Sequence, residues 1–149
     1  MKKLFSVMVI GSVLTLLIAG SARAQMPGTE MRATIPFDFM VRGRILPAGK
    51  YEINRINEEP AGLMIRNIDH RRDEALFETE AVYVSRTPSK DVLVFHRYGD
   101  SYFLSEVLTA GEDAGREIAP SHAERQMRRE MARNQVEPET VTVDLVAAR

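Results

Sequence analysis

The sequence predicts a mainly β fold, an antiparallel β-sandwich or small barrel of about seven or eight short strands with one C-terminal α-helix. Three observations carry this. Apolar and polar residues alternate over short runs such as Lys50–Ile56 (KYEINRI). Clusters of Gly, Pro, Asn and Asp punctuate the chain at short intervals. The stretch Ser121–Asn134 has helix formers without Gly or Pro and opens with the capping-box spacing of Ser121 and Glu124.

The first residues read as an export signal. Met1-Lys2-Lys3 is a positive start, Leu4–Ala19 is almost unbroken apolar sequence, and Ala22 and Ala24 stand at the A-x-A spacing of a signal peptidase site. The apolar run is about 16 residues, short of the ~20 that a spanning helix needs. The expectation is therefore cleavage after Ala24 and a periplasmic or secreted bacterial product, with no stable membrane span after cleavage. Residues 25–32 form a lead with Pro27-Gly28, expected to be mobile.

A single β-rich domain over 33–134 follows. Ala33–Val41 (ATIPFDFMV) alternates, with Ile35, Phe37 and Phe39 on one face; Pro36, lacking an N–H, predicts an edge or bulge. Arg42-Gly43-Arg44 and Pro47-Ala48-Gly49 are turns around the short extension Ile45-Leu46. In Lys50–Ile56, Tyr51 and Ile53 share a face, with Arg55 at its margin. Glu58–Gly62 is a loop by composition. Leu63–Ile68 is a strand, Asp69–Asp73 a charged connection, and Ala75–Val84 a strand by its Val82-Tyr83-Val84 end. Val92–Tyr98 and Ser101–Leu108 flank Gly99-Asp100, the signature of a two-residue type II′ hairpin. In that register Leu93, Phe95, Leu104 and Leu108 share one face and Val92, Val94, Phe103 and Val107 the other. Both faces are apolar, so both need a cover. Gly111–Gly115 breaks the pattern. The helix covers about 121–134, with Ala123, Met127 and Met131 as a narrow apolar stripe for the sheet and its arginines toward solvent. Residues 135–149 are a tail or, through Thr140–Val146 (TVTVDLV), a last strand.

Two motifs resemble a family of small exported bacterial β-rich proteins of uncharacterised function. One is Ile35-Pro36-Phe37-Asp38-Phe39 followed by Gly43 and Leu46-Pro47-Ala48-Gly49-Lys50-Tyr51; the other is Val94-Phe95-His96-Arg97-Tyr98-Gly99-Asp100-Ser101-Tyr102-Phe103-Leu104. The resemblance spans roughly Ala33–Glu124 and implies an export signal and a β-rich domain, without an activity. Physically, Pro47 and Gly49 suit a tight turn, Tyr51 a core face with its hydroxyl at the rim, and Arg97 a cation–π contact with Tyr102 across the hairpin.

The charge balance of 20 Lys+Arg against 21 Asp+Glu lacks the basic excess of a nucleic-acid binder. With no cysteine, disulfides, thiolate metal sites and cysteine nucleophiles are excluded. His70, His96 and His122 show no local metal-ligand spacing, so no metal and no cofactor are expected. No G-x-S-x-G or phosphate loop occurs. Asp38 and Asp100 read as an outward strand residue and a turn former, not as an acid–base pair. No catalytic residue is assigned and no enzyme is expected. The interaction candidates are His96 and Tyr98 in the hairpin and Arg125, Arg128, Arg129 and Arg133 on the helix.

The expectation is thus an exported, non-catalytic β-domain that binds an envelope or extracellular partner or serves a structural role, with room for weak self-association. One alternative is a lipocalin-like carrier whose barrel encloses a small apolar ligand. A small hydrolase, requiring polar groups that converge only in three dimensions, is the other.

Overall fold

The structure, a computed structural model, describes residues 30–56 and 61–148. The expected leader 1–24, most of the lead 25–32 and most of the loop at 58–62 lie outside the described residues. Twelve strands and one helix are present among the described residues.

Five strands make the first sheet: β1 (Met31–Ile35), β4 (Gly49–Arg55), β5 (Gly62–Asn67), β6 (Glu74–Glu78) and β12 (Val146–Ala147), in the order β12-β1-β4-β5-β6. The second is built on the order β11-β8-β9-β10-β7, from β7 (Glu80–Tyr83), β8 (Val92–Tyr98), β9 (Ser101–Leu108), β10 (Ala114–Glu117) and β11 (Glu139–Asp144). A small hairpin of β2 (Phe39–Val41) and β3 (Arg44–Leu46) joins it through β9. Helix α1 (His122–Arg133) lies against β8.

The fold is a sandwich with one helix; the barrel alternative is not realised. The strand count exceeds the seven or eight expected because three runs bend from one sheet into the other and β10 forms in addition. Ala33–Val41 breaks at Pro36-Phe37-Asp38, Ala75–Val84 at Thr79, and Thr140–Val146 at Leu145. Each bend is tied down. Asp38 Oδ1 accepts from the Ala48 amide at 2.8 Å, Thr79 donates its amide and hydroxyl to the Ala61 carbonyl at 2.8 and 2.9 Å, and the Leu145 amide bonds the Asp91 carbonyl at 2.8 Å. β1 opens at Met31, so the lead ends two residues sooner than its expected end at 32. β10 occupies part of the expected pattern break, and of the two alternatives for residues 135–149 the strand is realised, split into the edge strands β11 and β12.

Most pairings are antiparallel, as expected, but β2 runs parallel to β9. It arrives there from the first sheet after the Pro36 bend, and returns as β3 through Arg42-Gly43, both at positive φ (52° and 85°), as a type I′ hairpin requires.

The core lies between the sheets. Ile35, Tyr51, Ile53 and Ile65 of the first face Phe39, Leu46, Leu93 and Phe95 of the second, all essentially inaccessible. Burial of each such side chain contributes about 1.5–3 kcal/mol. Phe39 sits edge-on to Tyr51 and Phe95 at 5.2 and 5.5 Å between centroids, and Phe37 stacks on Tyr102 at 3.9 Å. The Tyr51 hydroxyl donates to the Pro47 carbonyl at 2.6 Å, a buried ring with its polar tip satisfied at the rim.

The hairpin forms on Gly99-Asp100, with Tyr98 opposite Ser101, Arg97 opposite Tyr102 and His96 opposite Phe103. Gly99 has φ +63° and Asp100 is not at positive φ, the pattern of a type II′ turn. The register then slips between Val94 and Phe95, where Ser105 is the extra residue of a β-bulge. Beyond the bulge the faces exchange. Val107 pairs with Leu93 in the core and Leu108 pairs with Val92 on the outer face, the reverse of the expected assignment.

The outer face is covered in two parts. Helix α1 lies over the His96–Tyr98 end, while the loop Arg86–Lys90 comes beside Val92, Val94 and Leu108. The helix is seated differently from the expected stripe. Ala123 is exposed; Glu124 is buried, with Met127 and Met131 half-buried beside it. The spacing i, i+3, i+7 is still one helical face, turned by one residue.

Candidate functional site

Two places bring functional groups together: the seat of the helix on the hairpin, and a cleft at one end of the sandwich.

At the seat, the Ser121 hydroxyl accepts from the Glu124 amide at 3.2 Å, making the backbone half of a capping box. The Glu124 carboxylate turns away from the cap toward the sheet. Its Oε1 lies 3.2 Å from His96 Nδ1 and 3.5 Å from the Tyr98 hydroxyl, which donates to it. On the far side of the ring, His96 Nε2 is 3.4 Å from Ser105 Oγ. Burial, then the charge of Glu124, raise the Tyr98 hydroxyl above its ordinary pKa, so it remains a donor. The order Ser105–His96–Glu124 is that of a hydrolytic triad. Its surroundings are not: Ser105 is buried on the bulge, and Glu124 is 4% exposed.

His96 and Tyr98 are thus brought together, as polar anchors for the helix. Arg125, Arg128, Arg129 and Arg133 are all exposed, and none forms an ion pair among the described residues. His70 is exposed in the connection between β5 and β6, and His122, exposed at the start of α1, makes no contact with His96. Among the described residues no group of three His, Asp or Glu is placed to hold a metal ion, and no helix is long and apolar enough to cross a membrane. Arg97 stands over the Tyr102 ring, its Cζ 5.4 Å from the centroid.

The cleft opens between the sheets with a volume of about 500 Å³. Met31, Ile53 and Leu63 line it from the first sheet and Val107 from the second. Two arginines flank these residues. Arg55 pairs with Leu63 in the β4–β5 register and so shares its inward face. Arg116 pairs with Val107 on one side and Ala81 on the other, which places it on the inward face of the opposite sheet. Arg116 donates to the Thr79 hydroxyl at 3.4 Å. Burial, then the charge of Arg55, push its guanidinium below the ordinary value, against an opposing pull from Glu112. Glu112 and Asp91 also line the cleft, but among the described residues neither arginine forms an ion pair.

Sequence reasoning missed Glu124 as a contact of His96, because its spacing from Ser121 explained it as a cap. It missed Arg116, because the glycines before it read as a break. The alternation of Tyr51 and Ile53 extends in register to Arg55, whose side chain is exposed at the end of β4. Compared with known protein families, curated proteins and solved structures, the chain matches none.

Proposed function

We propose that this chain is an exported, non-catalytic binding domain whose ligand site is the cleft flanked by Arg55 and Arg116. One observation carries the reading: a space of about 500 Å³ between the sheets, apolar at Met31, Ile53, Leu63 and Val107 and polar at its sides. Ligand sites are concave spaces of about 300–1,000 Å³ with mostly apolar walls and a few placed polar groups. The leader pattern of Met1–Ala24 and the family resemblance support export to the periplasm or the medium. The ligand enters an open end of a sandwich, so the carrier reading survives in changed form, without an enclosing barrel.

The test is binding of a neutral, polarity-sensitive dye such as Nile red. Saturable one-to-one binding is expected, weakened at least tenfold by Ala81→Trp, which fills the cleft from the exposed Ala81. Absence of binding, or equal binding by the variant, would remove the reading.

A hydrolytic reading draws on the Ser105–His96–Glu124 chain. It is the weaker one, because a nucleophile must meet its substrate, and Ser105 is covered where it stands. A fluorophosphonate probe should leave Ser105 unlabelled; stoichiometric labelling would favour the hydrolase.

A further inference from the structure

Strand alternation normally places apolar side chains on the inward faces of a sandwich. At one end of this one, two arginines stand in inward-facing rows of opposite sheets, Arg116 half-buried and Arg55 exposed. Arg55 stands in the row with Leu63 and Phe77, and Arg116 in the row with Leu93, Val107 and Ala81. Both flank the same apolar space. Holding two like charges at the edge of a low-dielectric space costs free energy unless an anion compensates them. The described residues do not supply one at ion-pair distance. Asp91 accepts the Ala110 amide on Oδ1 at 2.7 Å and Glu112 favours the charge on Arg116, but both carboxylates stand beyond ion-pair distance of either guanidinium. Thr79 engages one arm of Arg116, orienting the guanidinium without neutralising it.

Building on the cleft as the ligand site, we infer that it takes a single-chain amphiphile with a carboxylate head, the head between Arg55 and Arg116 and the alkyl chain over Met31, Ile53, Leu63 and Val107. The two parts of the site match the two parts of such a ligand. A guanidinium presents a planar fork of donors that fits a carboxylate with two parallel hydrogen bonds. The apolar walls recover the chain's transfer free energy, ~0.8 kcal/mol for each buried methylene. Charge neutralisation sets the choice of head group, and the walls set the affinity for the chain.

The experiment measures three probes of one chain length against the purified protein: decanoate, 1-decanol and decyltrimethylammonium, by calorimetry below the micelle concentrations of the two ions and the solubility limit of the alcohol. Decanoate should bind at least tenfold more tightly than decanol, and the cation most weakly. Added salt should weaken decanoate and leave decanol unchanged. Arg116→Met should bring decanoate to the level of decanol without altering decanol. Arg55→Gln, at an exposed side chain, should act in the same direction. If decanol binds as tightly as decanoate, or both variants keep the preference, the carboxylate inference is overturned while the cleft stands. If none of the three probes binds, both readings fall together.

Discussion

His96 Nδ1 lies 3.2 Å from Glu124 Oε1, tying the middle of β8 to the first turn of α1. The carboxylate is buried and also accepts from Tyr98, so one acidic group satisfies two polar side chains beneath the helix. Removing it strands both partners. Glu124→Ala is expected to cost about 1–3 kcal/mol in a denaturant titration. A double-mutant cycle with His96→Ala should return a coupling of about 0.5–3 kcal/mol. Additivity within error would mean that the two side chains are neighbours without a shared interaction.

Gly49 opens β4 where Asn67 approaches it. A Cβ at Gly49 would stand 2.6 Å from Asn67 Nδ2. Asn67 is itself fixed, since its Oδ1 accepts from the amides of Asp69 and His70, both at 2.9 Å. Movement to accommodate a methyl would break that turn. Gly49→Ala is therefore expected to destabilise by about 1–3 kcal/mol, as overpacking does. A thermal melt equal to the parent would show that Asn67 gives way freely.

Phe95 is central to the core. It meets Phe37 and Phe39 edge-on at 5.2 and 5.5 Å and has no accessible surface. Phe95→Ala should cost about 3–5 kcal/mol, the range for large core truncations. An equilibrium loss below about 1 kcal/mol would place Phe95 outside the core.

How much of this was legible depends on how local each signal is. Ser121 and Glu124 fix the helix start, and Gly99-Asp100 the hairpin, because a cap and a two-residue turn are decided within four residues. The sheet-crossing bends at Pro36, Thr79 and Leu145 are decided by partners far along the chain, such as Ala61 for Thr79 and Asp91 for Leu145. The bulge at Ser105 leaves the alternation of β9 intact on paper while exchanging Val107 and Leu108 between faces. The same holds for the site. His96 was singled out by its place in the hairpin, but its carboxylate comes from an element 28 residues away, and Arg116 meets Arg55 only through the packing of the sheets.

Glu106 and Glu117 stand directly opposite each other in the β9–β10 pairing. Burial, then the charge of Glu117, raise the Glu106 carboxyl above its ordinary 4.5, with His96 opposing. A raised carboxyl binds its proton more tightly in the folded protein. Its contribution to stability is therefore fully present below the ordinary value and is lost as pH rises through the raised one. Glu117→Gln removes the neighbouring charge. It should stabilise near pH 7 by about 0.2–1 kcal/mol, toward the low end because the pair is partly exposed, and should have no effect near about pH 3.5. Melting curves at the two pH values decide it; an equal gain at both would assign the effect to something other than charge.

The final prediction concerns the helix as a cover. Tyr98 and Phe103 are 5% and 2% exposed although they lie on the outer face of the hairpin, edge-on to each other at 5.6 Å. Glu124 reaches Tyr98 directly, and Met127 and Met131 continue the inward face of α1. The arginines on the other face make no ion pair among the described residues to hold the helix from outside. Seating therefore rests on two methionines and one polar cluster. The double variant Met127→Asp, Met131→Asp places two charges on that face and should unseat the helix, at a cost of about 2–4 kcal/mol. β11 follows α1 in the chain but pairs with β8 over Glu139–Asp144, so the sheet keeps its edge strand when the helix lifts. The expected result is loss of the helical circular dichroism signal with the strand signal retained. New binding of a hydrophobic dye at Tyr98 and Phe103 should accompany it, with concentration-dependent association. If the variant melts as the parent does, binds no dye and stays monomeric, α1 is not what keeps water from that face. The four arginines would then belong to a basic arm available to an acidic partner.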